Sequence, residues 1–478
     1  MTEELLPQMQ ADCDGLREIF GGLDRLELQM IQAGSTSGSQ RRGYFTPDED
    51  DRVRQMLLAY RNYRIGLHEI IGRYRDYEEL ESPSPQLQAF LIGFAAALTL
   101  YAKSLKLIQT AEHIPLLRRK LNEPDAKFDL AEGFFDEVLQ SYSSLGNYRH
   151  LSQANQFWRR QRRSIQKWLP PGNTEWHWLA DVVRHQRVVV RKRLVSVLNA
   201  RFRYDWRALV ETTVKPLRQL RYTVQSFVGG TFAGARSTLH YRPALTEAVF
   251  SVLRGKLQPG DVLLVRAEEK LTSALLPGFW AHAAIFIGGQ DDLVPLEICG
   301  HPHVQKHWNN LPKNGGPFGQ VIEAISPRAL INPLEKSLFA DHVVVLRPNL
   351  SDSSRAAAIT EAFGHLGKPY DFEFDFNVTS RVVCTELVYR SFHRQSGIEF
   401  SLVKRLGRFT LSGDDIMNMA LESVRKNGPD RASFQVVALA LKDSDPCAGF
   451  VPDAEMIPTL QRIQSGWRPA RVEKVIHA

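Results

Sequence analysis

The chain has few cysteines, and they lie far apart. Four occur in 478 residues, at positions Cys13, Cys299, Cys384 and Cys447. No two of them have the C-x-x-C spacing of a zinc ribbon, and their scatter argues against a disulfide framework. We therefore expect a protein of a reducing compartment, in which any important thiol acts alone.

Several other signals are missing as well. The sequence has no P-loop, no dinucleotide fingerprint and no HExxH, so we predict neither a cofactor nor a catalytic zinc ion. The acidic start MTEELLPQMQADCDG lacks the apolar stretch of a secretory signal. The longest apolar run, from Leu87 to Tyr101, is short for a membrane span and predicts a buried helix. These features together predict a cytoplasmic protein.

Three histidines lie close together in HPHVQKHW, at His301, His303 and His307. Cys299 is the nearest other donor, and no carboxylate has firm ligand spacing. The segment resembles a loop, so the sequence predicts no metal site here.

Residues 1–240 show helical periodicity and no strand alternation, which predicts an all-α bundle of long helices. Thr46 before Pro47 and three acidic residues is a strong helix start. The Gly-rich segment 228–243 is typical of an interdomain linker. The predicted helices cover about residues 1–34, 47–80, 86–122, 130–145, 151–168, 175–202 and 209–227.

The helical half is basic in places. A run free of acids extends from Arg159 to Lys167, and further cations follow from Arg184 to Arg207. Tryptophans are interleaved with these cations, as in helices that bind anionic membranes. A solvated face with its tryptophans in the core is the other main interpretation; nucleic acid is less favoured, because no helix-turn-helix, RRM or finger pattern is present. The tryptophans are Trp158, Trp168, Trp176, Trp178 and Trp206.

Residues 255–450 change character, with short β-type runs separated by turns. They predict an α+β domain, in which helices pack against one side of an antiparallel sheet. The expected strands are 262–266, 282–289, 321–325, 342–348 and 433–441, and the expected helices are about 353–366, one beginning near Cys384 and one opened by Ser412.

Cys384 lies where an amphipathic helix is predicted to begin, in VVCTELVYRSF. The helix dipole and the unpaired N–H groups of the first turn favour a thiolate at such a position. A buried structural cysteine is the alternative interpretation of the same pattern.

Two further residues could complete a catalytic set. His282 begins a strand after the turn PGFWA, and a thiol nucleophile needs a base of this kind. Glu323 lies within the apolar strand VIEAI, where a carboxylate is costly to bury without a partner. A hydrogen bond from His282 would provide that partner and would fix the imidazole tautomer.

At this point the sequence resembles a known family. GDVLLVR and PGFWAHAAIFIGG are similar to the paired strands of the NlpC/P60 papain-like hydrolases, but CTELVYRSF follows them, as in the circularly permuted YaeF/YiiX-type amidases. The resemblance implies a permuted papain-like fold over about residues 255–420, with Cys384 as nucleophile, His282 as base and Glu323 as the orienting residue.

The same resemblance suggests residues that contact substrate. Tyr370, in GKPYDFEFDF, would line the site or donate its hydroxyl to an oxyanion, and a packing role is an equal alternative. Thr385 and Trp280, which flank the predicted catalytic pair in the chain, are predicted to bind substrate.

The sequence thus predicts a thiol hydrolase that cleaves a peptide-type amide, with an amide or ester as its substrate. The first alternative is a hydrolase or acyltransferase of lipid or lipidated substrates, peripheral at the inner membrane face through the basic helices. The second is an inactive binding or scaffold protein.

Overall fold

The protein is described by a computed structural model. It covers residues 2–35, 39, 42–80, 82–125, 132–169, 172, 174–191, 242–268, 278–405, 408–442 and 447–466. The chain divides into two compact units, Met1–His240 and Tyr241–Ala478.

The first unit is helical throughout its described part. Its second helix begins as the sequence predicts, because the Thr46 side chain caps the backbone N–H of Glu49 and the Glu49 carboxylate caps Thr46 in return. The helices are α1 (Thr2–Ser35), α2 (Pro47–Arg73), α3 (Pro83–His113), α4 (Pro115–Leu121), α5 (Phe134–Ser143), α6 (Leu145–Trp168) and α7 (Thr174–Arg191).

Helix α3 is the centre of this unit and packs against α1, α2, α5, α6 and α7. Its apolar side chains, including Phe90, Leu91 and Ile92, are buried, which confirms the predicted buried helix. By length and composition it is the one described helix that could span a membrane, and 67% of the apolar window is buried inside the unit.

Helix boundaries differ from the sequence prediction at prolines and turns. The helix predicted to reach residue 80 ends at Arg73, and a proline at position 115 divides the next one into α3 and α4. The continuation predicted beyond residue 191, the helix at 209–227 and most of the linker lie outside the described residues.

The second unit is built around a seven-stranded sheet. The order is β4-β3-β2-β1-β5-β8-β9, and every neighbouring pair is antiparallel. The strands are β1 (Val262–Arg266), β2 (His282–Gly288), β3 (Gln320–Ala324), β4 (Ala329–Pro333), β5 (His342–Pro348), β6 (Val403–Arg405), β7 (Arg408–Thr410), β8 (Phe434–Leu441) and β9 (Gly449–Phe450), of which β6 and β7 form a separate hairpin.

The central strands are buried on both faces. Almost every residue of β1, β2, β3 and β5 is inaccessible, so the sheet is covered on both sides. This differs from the expectation of helices on one side only, and the cause is visible in the strands themselves, which are mostly apolar on both faces and do not alternate. The helices of the unit are α8 (Glu247–Lys256), α9 (Gln290–Leu293), α10 (Pro302–Trp308), α11 (Leu334–Ser337), α12 (Asp352–Gly364), α13 (Cys384–Phe392), α14 (Gly413–Asn427) and α15 (Asp453–Gln464).

The GD motif at the start of β1 has a structural role. The Asp261 carboxylate accepts two hydrogen bonds from the Arg347 guanidinium, at 2.8 and 2.7 Å, and one from the backbone N–H of Gln258. Asp261 is 1% exposed, so this pair ties β1 to β5 in the interior.

Several elements of this unit were not predicted, and strand β4 and helix α10 are two of them. Strand β4 pairs with β3 although its sequence, ALINP, shows no clear alternation. The histidine segment, interpreted as a loop, forms the short helix α10, which Pro302 begins at its first position.

Candidate active site

The pairing of β2 with β3 brings His282 and Glu323 together. Glu323 is the register partner of Ala284, two residues from His282 and therefore on the same face of the sheet. A long side chain reaches such a diagonal neighbour, and His282 Nε2 lies 2.7 Å from Glu323 Oε2.

The Glu323 carboxylate is fully enclosed and fully hydrogen-bonded. Its side chain is 3% exposed. Besides His282, Asn332 on β4 donates its Nδ2 to Oε1 at 2.6 Å, and the Ser337 hydroxyl on α11 donates to Oε2 at 2.7 Å. These bonds replace the water that a buried carboxylate loses.

Sequence reasoning missed Asn332 and Ser337. Both follow Glu323 closely in the chain, but β4 was not recognised as a strand, so nothing indicated that Asn332 would face the carboxylate. The one available signal was Asn332, which interrupts the apolar segment ALINPL after β3.

Cys384 begins α13, as the sequence predicts, and α13 packs against β2 and β3. This contact places the thiol close enough to the imidazole to influence the pKa of the ring. Because Nε2 of His282 is engaged with Glu323, Nδ1 is the ring nitrogen that remains for Cys384. The residue Cys384 is 2% exposed and the His282 side chain 23%, so solvent reaches the pair mainly at the ring.

Interactions within the site favour the charged forms of His282 and Glu323, as their pKa values show. Burial lowers the pKa of His282, but the hydrogen bonds to Cys384 and Glu323 outweigh it and raise this pKa to about 10. Burial would raise the pKa of Glu323, yet the hydrogen bonds from His282, Asn332 and Ser337 lower it overall. At neutral pH the site therefore holds an imidazolium between a carboxylate and the thiol.

A second set of charges fixes the start of α13. The Glu386 carboxylate, 0% exposed, accepts the backbone N–H of Val383 at 3.4 Å and the Nε of Arg390 at 2.8 Å. Arg390 also donates to the carbonyl of Phe376 at 3.1 Å. Burial raises the pKa of Glu386 to about 7 although Arg390 acts to lower it. These contacts hold the residue before Cys384 in place.

Carboxylates also fix the loop before α13, through hydrogen bonds and ion pairs. Asp371 is fully buried, and its carboxylate accepts the backbone N–H groups of Glu373 and Asp375, at 3.1 and 2.7 Å. The carboxylate of Glu373 pairs with Arg381 at 3.2 Å and with Arg408 at 3.6 Å. Glu373 is therefore an ion-paired residue of this loop.

The three residues predicted to bind substrate are largely enclosed. Tyr370 is 5% exposed, stacks edge-on against Phe372 and bridges to Val382. The Thr385 hydroxyl donates to the carbonyl of Leu411 at 2.6 Å. Trp280 is 0% exposed, and its indole Nε1–H has no hydrogen-bond partner among the described residues. Tyr370 thus makes packing and backbone contacts and Thr385 a hydrogen bond within the fold, while the indole N–H of Trp280, close in sequence to His282, is unbonded within the described part of the chain.

The described residues contain no group of three or more His, Cys, Asp or Glu side chains that could hold a metal ion. His301 caps the N–H of His303, and the His307 ring packs near Phe363. Within the described part of the chain, α10 therefore offers packing and capping in place of ligation.

Part of the second unit matches a known protein family. Residues 256–440 match the model of the permuted papain-like amidase enzymes, the YaeF/YiiX or C92 family. The C-terminal unit is a permuted papain-like domain. No curated protein and no solved structure matches the chain significantly.

The matched segment contains both β2 and α13, so the histidine strand precedes the cysteine helix within the papain-like domain. This confirms the resemblance read from the sequence and the fold class, a helical domain followed by a permuted papain-like domain. It also identifies the unit as a hydrolase of the amidase or peptidase type.

Proposed function

We propose that the papain-like domain cleaves an amide bond with Cys384 as nucleophile, His282 as acid and base, and Glu323 as the residue that orients the imidazole. The observation that carries the proposal is the 2.7 Å hydrogen bond between Glu323 and His282, together with the position of Cys384 at the start of a helix that packs against the strands carrying both residues. Each member has the chemistry its role requires.

The reaction would proceed in two halves. The Cys384 thiolate attacks the carbonyl carbon, a C–S bond forms, and the negative charge moves to the carbonyl oxygen near the first-turn N–H groups of α13. The His282 imidazolium gives its proton to the leaving nitrogen as the C–N bond breaks. Neutral His282 then takes a proton from water, which attacks the acyl-enzyme, and the C–S bond breaks to restore the thiolate.

Glu323 does not take up a proton in this scheme. Its lowered pKa keeps it ionised, and its bond to Nε2 keeps Nδ1 directed at the sulfur. Asn332 and Ser337 hold the carboxylate in that position, so they are positioning residues that act through Glu323.

The test is turnover of a panel of chromogenic amides and esters by the full chain, with the acyl-enzyme trapped by acid and located by peptide mass spectrometry. The expected acyl group is on Cys384, and Cys384→Ala and His282→Ala should show no turnover while circular dichroism stays unchanged. Full turnover in His282→Ala, or an acyl group on another residue, would contradict the mechanism.

A second candidate function is hydrolysis or acyl transfer on lipid or lipidated substrates at an anionic membrane face, on the cytoplasmic side. The basic exposed face of α6, described below, favours it. The two candidates separate when the same acyl amide is presented free and in vesicles, because a membrane enzyme should prefer the vesicle form. The inactive scaffold is less favoured, since a structural domain has no need of a buried carboxylate that holds an imidazolium near a thiol.

A further inference from the structure

Helix α6 has one buried face and one strongly cationic face. Leu151, Trp158 and Ile165 are its buried residues. At 3.6 residues per turn, the opposite side of the helix carries a row of cations, all exposed. We call this row the basic face; it consists of Arg149, Arg159, Arg160, Arg163 and Lys167.

The basic face has no compensating acid. Helix α6 contains no Asp or Glu. Within the described part of the chain, none of the five cations forms an ion pair, whereas Arg184 on α7 pairs with Asp181 at 2.7 Å. Exposed helices normally mix both signs of charge, so a one-sign face over about 27 Å of helix is unusual.

The tryptophans do not take part in this face. Trp158 and Trp176 are each 5% exposed, and Trp168 packs edge-on against Trp176. Of the tryptophans that the sequence suggested as membrane anchors, Trp158 and Trp176 are thus core residues, and Trp168 is half-buried. Trp206 lies outside the described residues.

One apolar side chain does lie on the basic face. Leu145, the first residue of α6, is 50% exposed and falls on the same side of the helix as Arg149 and Arg163. An exposed leucine in line with arginines suits a lipid interface, which accepts both the alkyl group and the cations. Phosphates of a nucleic acid backbone would leave the leucine without a partner.

We propose that the basic face of α6, with Leu145 at its end, docks the protein on an anionic lipid bilayer. The attraction is chiefly electrostatic, so it weakens as salt shortens the Debye length. This surface does not depend on the catalytic assignment, and either proposal can fail without the other.

The experiment is co-sedimentation of the full chain with vesicles of phosphatidylcholine, with and without phosphatidylserine, at low and high salt. Binding should require phosphatidylserine and should be lost at high salt. The variant Arg160→Gln/Arg163→Gln/Lys167→Gln should bind about 100-fold more weakly, at roughly fivefold for each charge removed. Leu145→Ser should bind several-fold more weakly with the same salt dependence.

The matched control is Arg184→Gln/Arg425→Gln/Lys426→Gln, which removes the same number of exposed charges from ion pairs elsewhere. It should bind like the wild type. Equal loss in both triple variants would show a net-charge effect and overturn the proposal. The proposal is also overturned if the protein binds neutral vesicles equally well or binds no vesicles at all. Displacement of the protein from the vesicles by duplex DNA, at a concentration well below that of the lipid, would overturn it too.

Discussion

At the scale of single residues, the site depends on one imidazole with two different partners. Nε2 of His282 is held by Glu323 at 2.7 Å, and Cys384 acts on the same ring by raising its pKa. The chain sequence indicated all three residues, because a cysteine at a helix start and a glutamate inside an apolar strand are each chemically conspicuous. The supports of Glu323 were not predictable, since Asn332 and Ser337 are ordinary until β4 and α11 fold back on β3.

The first prediction concerns those supports. Glu323→Gln should lower kcat/KM by about 10- to 100-fold, and Asn332→Ala by about 10-fold, because a hydrogen bond to a charged group is worth ~1.5–3 kcal/mol. Gln320→Ala is the control, since Gln320 lies on the same strand but donates to the carbonyl of Gly315. Steady-state kinetics and melting temperatures of the three variants separate positioning of Glu323 from general destabilisation of β3. If kcat/KM falls as far in Gln320→Ala as in Asn332→Ala, destabilisation of β3 is responsible.

The second prediction is a proton titration. The pKa of His282 is raised to about 10, above its usual value of 6.5, so the charged ring stabilises the native state fully below pH 6.5. That contribution is lost as pH rises through about 10. NMR of the ring should show this high pKa in the wild type and a lower one in Cys384→Ala, because the variant removes a hydrogen-bond partner. An identical titration in both would show that the thiol does not contact the ring.

At the scale of elements, buried ion pairs fix the strands and the helix that carry the site. Asp261 and Arg347 join β1 to β5, and Glu386 with Arg390 sets the start of α13. The sequence predicted the cysteine helix and the central strands well, because their apolar residues follow a clear pattern. It failed at β4, where pairing with β3 decides the structure, and at α10, a histidine-rich segment that was interpreted as a loop.

The third prediction uses the Glu386–Arg390 pair. Arg390→Leu leaves the buried Glu386 carboxylate without its cation and should cost about 3–5 kcal/mol of stability. The cost should be larger at pH 8 than at pH 5, because the pKa of Glu386 is already raised to about 7, and removing Arg390 raises it further, so that at low pH the group stays neutral. Urea unfolding at the two pH values measures this.

The double variant Glu386→Gln/Arg390→Leu is the control for that result. It removes the uncompensated charge, so it should recover part of the stability and most of the pH dependence should vanish. A cost of Arg390→Leu that is independent of pH would instead assign the loss to the bond with the Phe376 carbonyl.

At the scale of the whole molecule, two units with separate cores share one chain. The helical unit is centred on α3, and the papain-like domain on its sheet, with the core around Leu263, Phe286 and Val343. Composition and periodicity predicted a helical half and an α+β half. The function of the helical half was not predictable. A basic helix has the same sequence pattern whether its tryptophans contact lipid or lie in the core.

The fourth prediction follows from the separate cores. Phe90→Ala in α3 and Phe286→Ala in β2 should each cost about 3–5 kcal/mol, but in different units. Calorimetry of the full chain should show two transitions, each lowered by only one of the substitutions. A single transition lowered equally by both would mean that the units unfold together.

The measurement that tests the central claim most directly is the order in which the cysteines react with iodoacetamide at pH 6. Cys299 and Cys447 are exposed and lie outside the proposed catalytic set, so their rates of alkylation are the internal reference for accessible thiols. Cys13 should stay unmodified, since burial raises the pKa of its thiol. Cys384, beside an imidazolium, should be alkylated first despite its burial, and His282→Ala should abolish this advantage. Earlier labelling of Cys299 or Cys447, or an unchanged rate at Cys384 in His282→Ala, would contradict the assignment of Cys384 as the nucleophile.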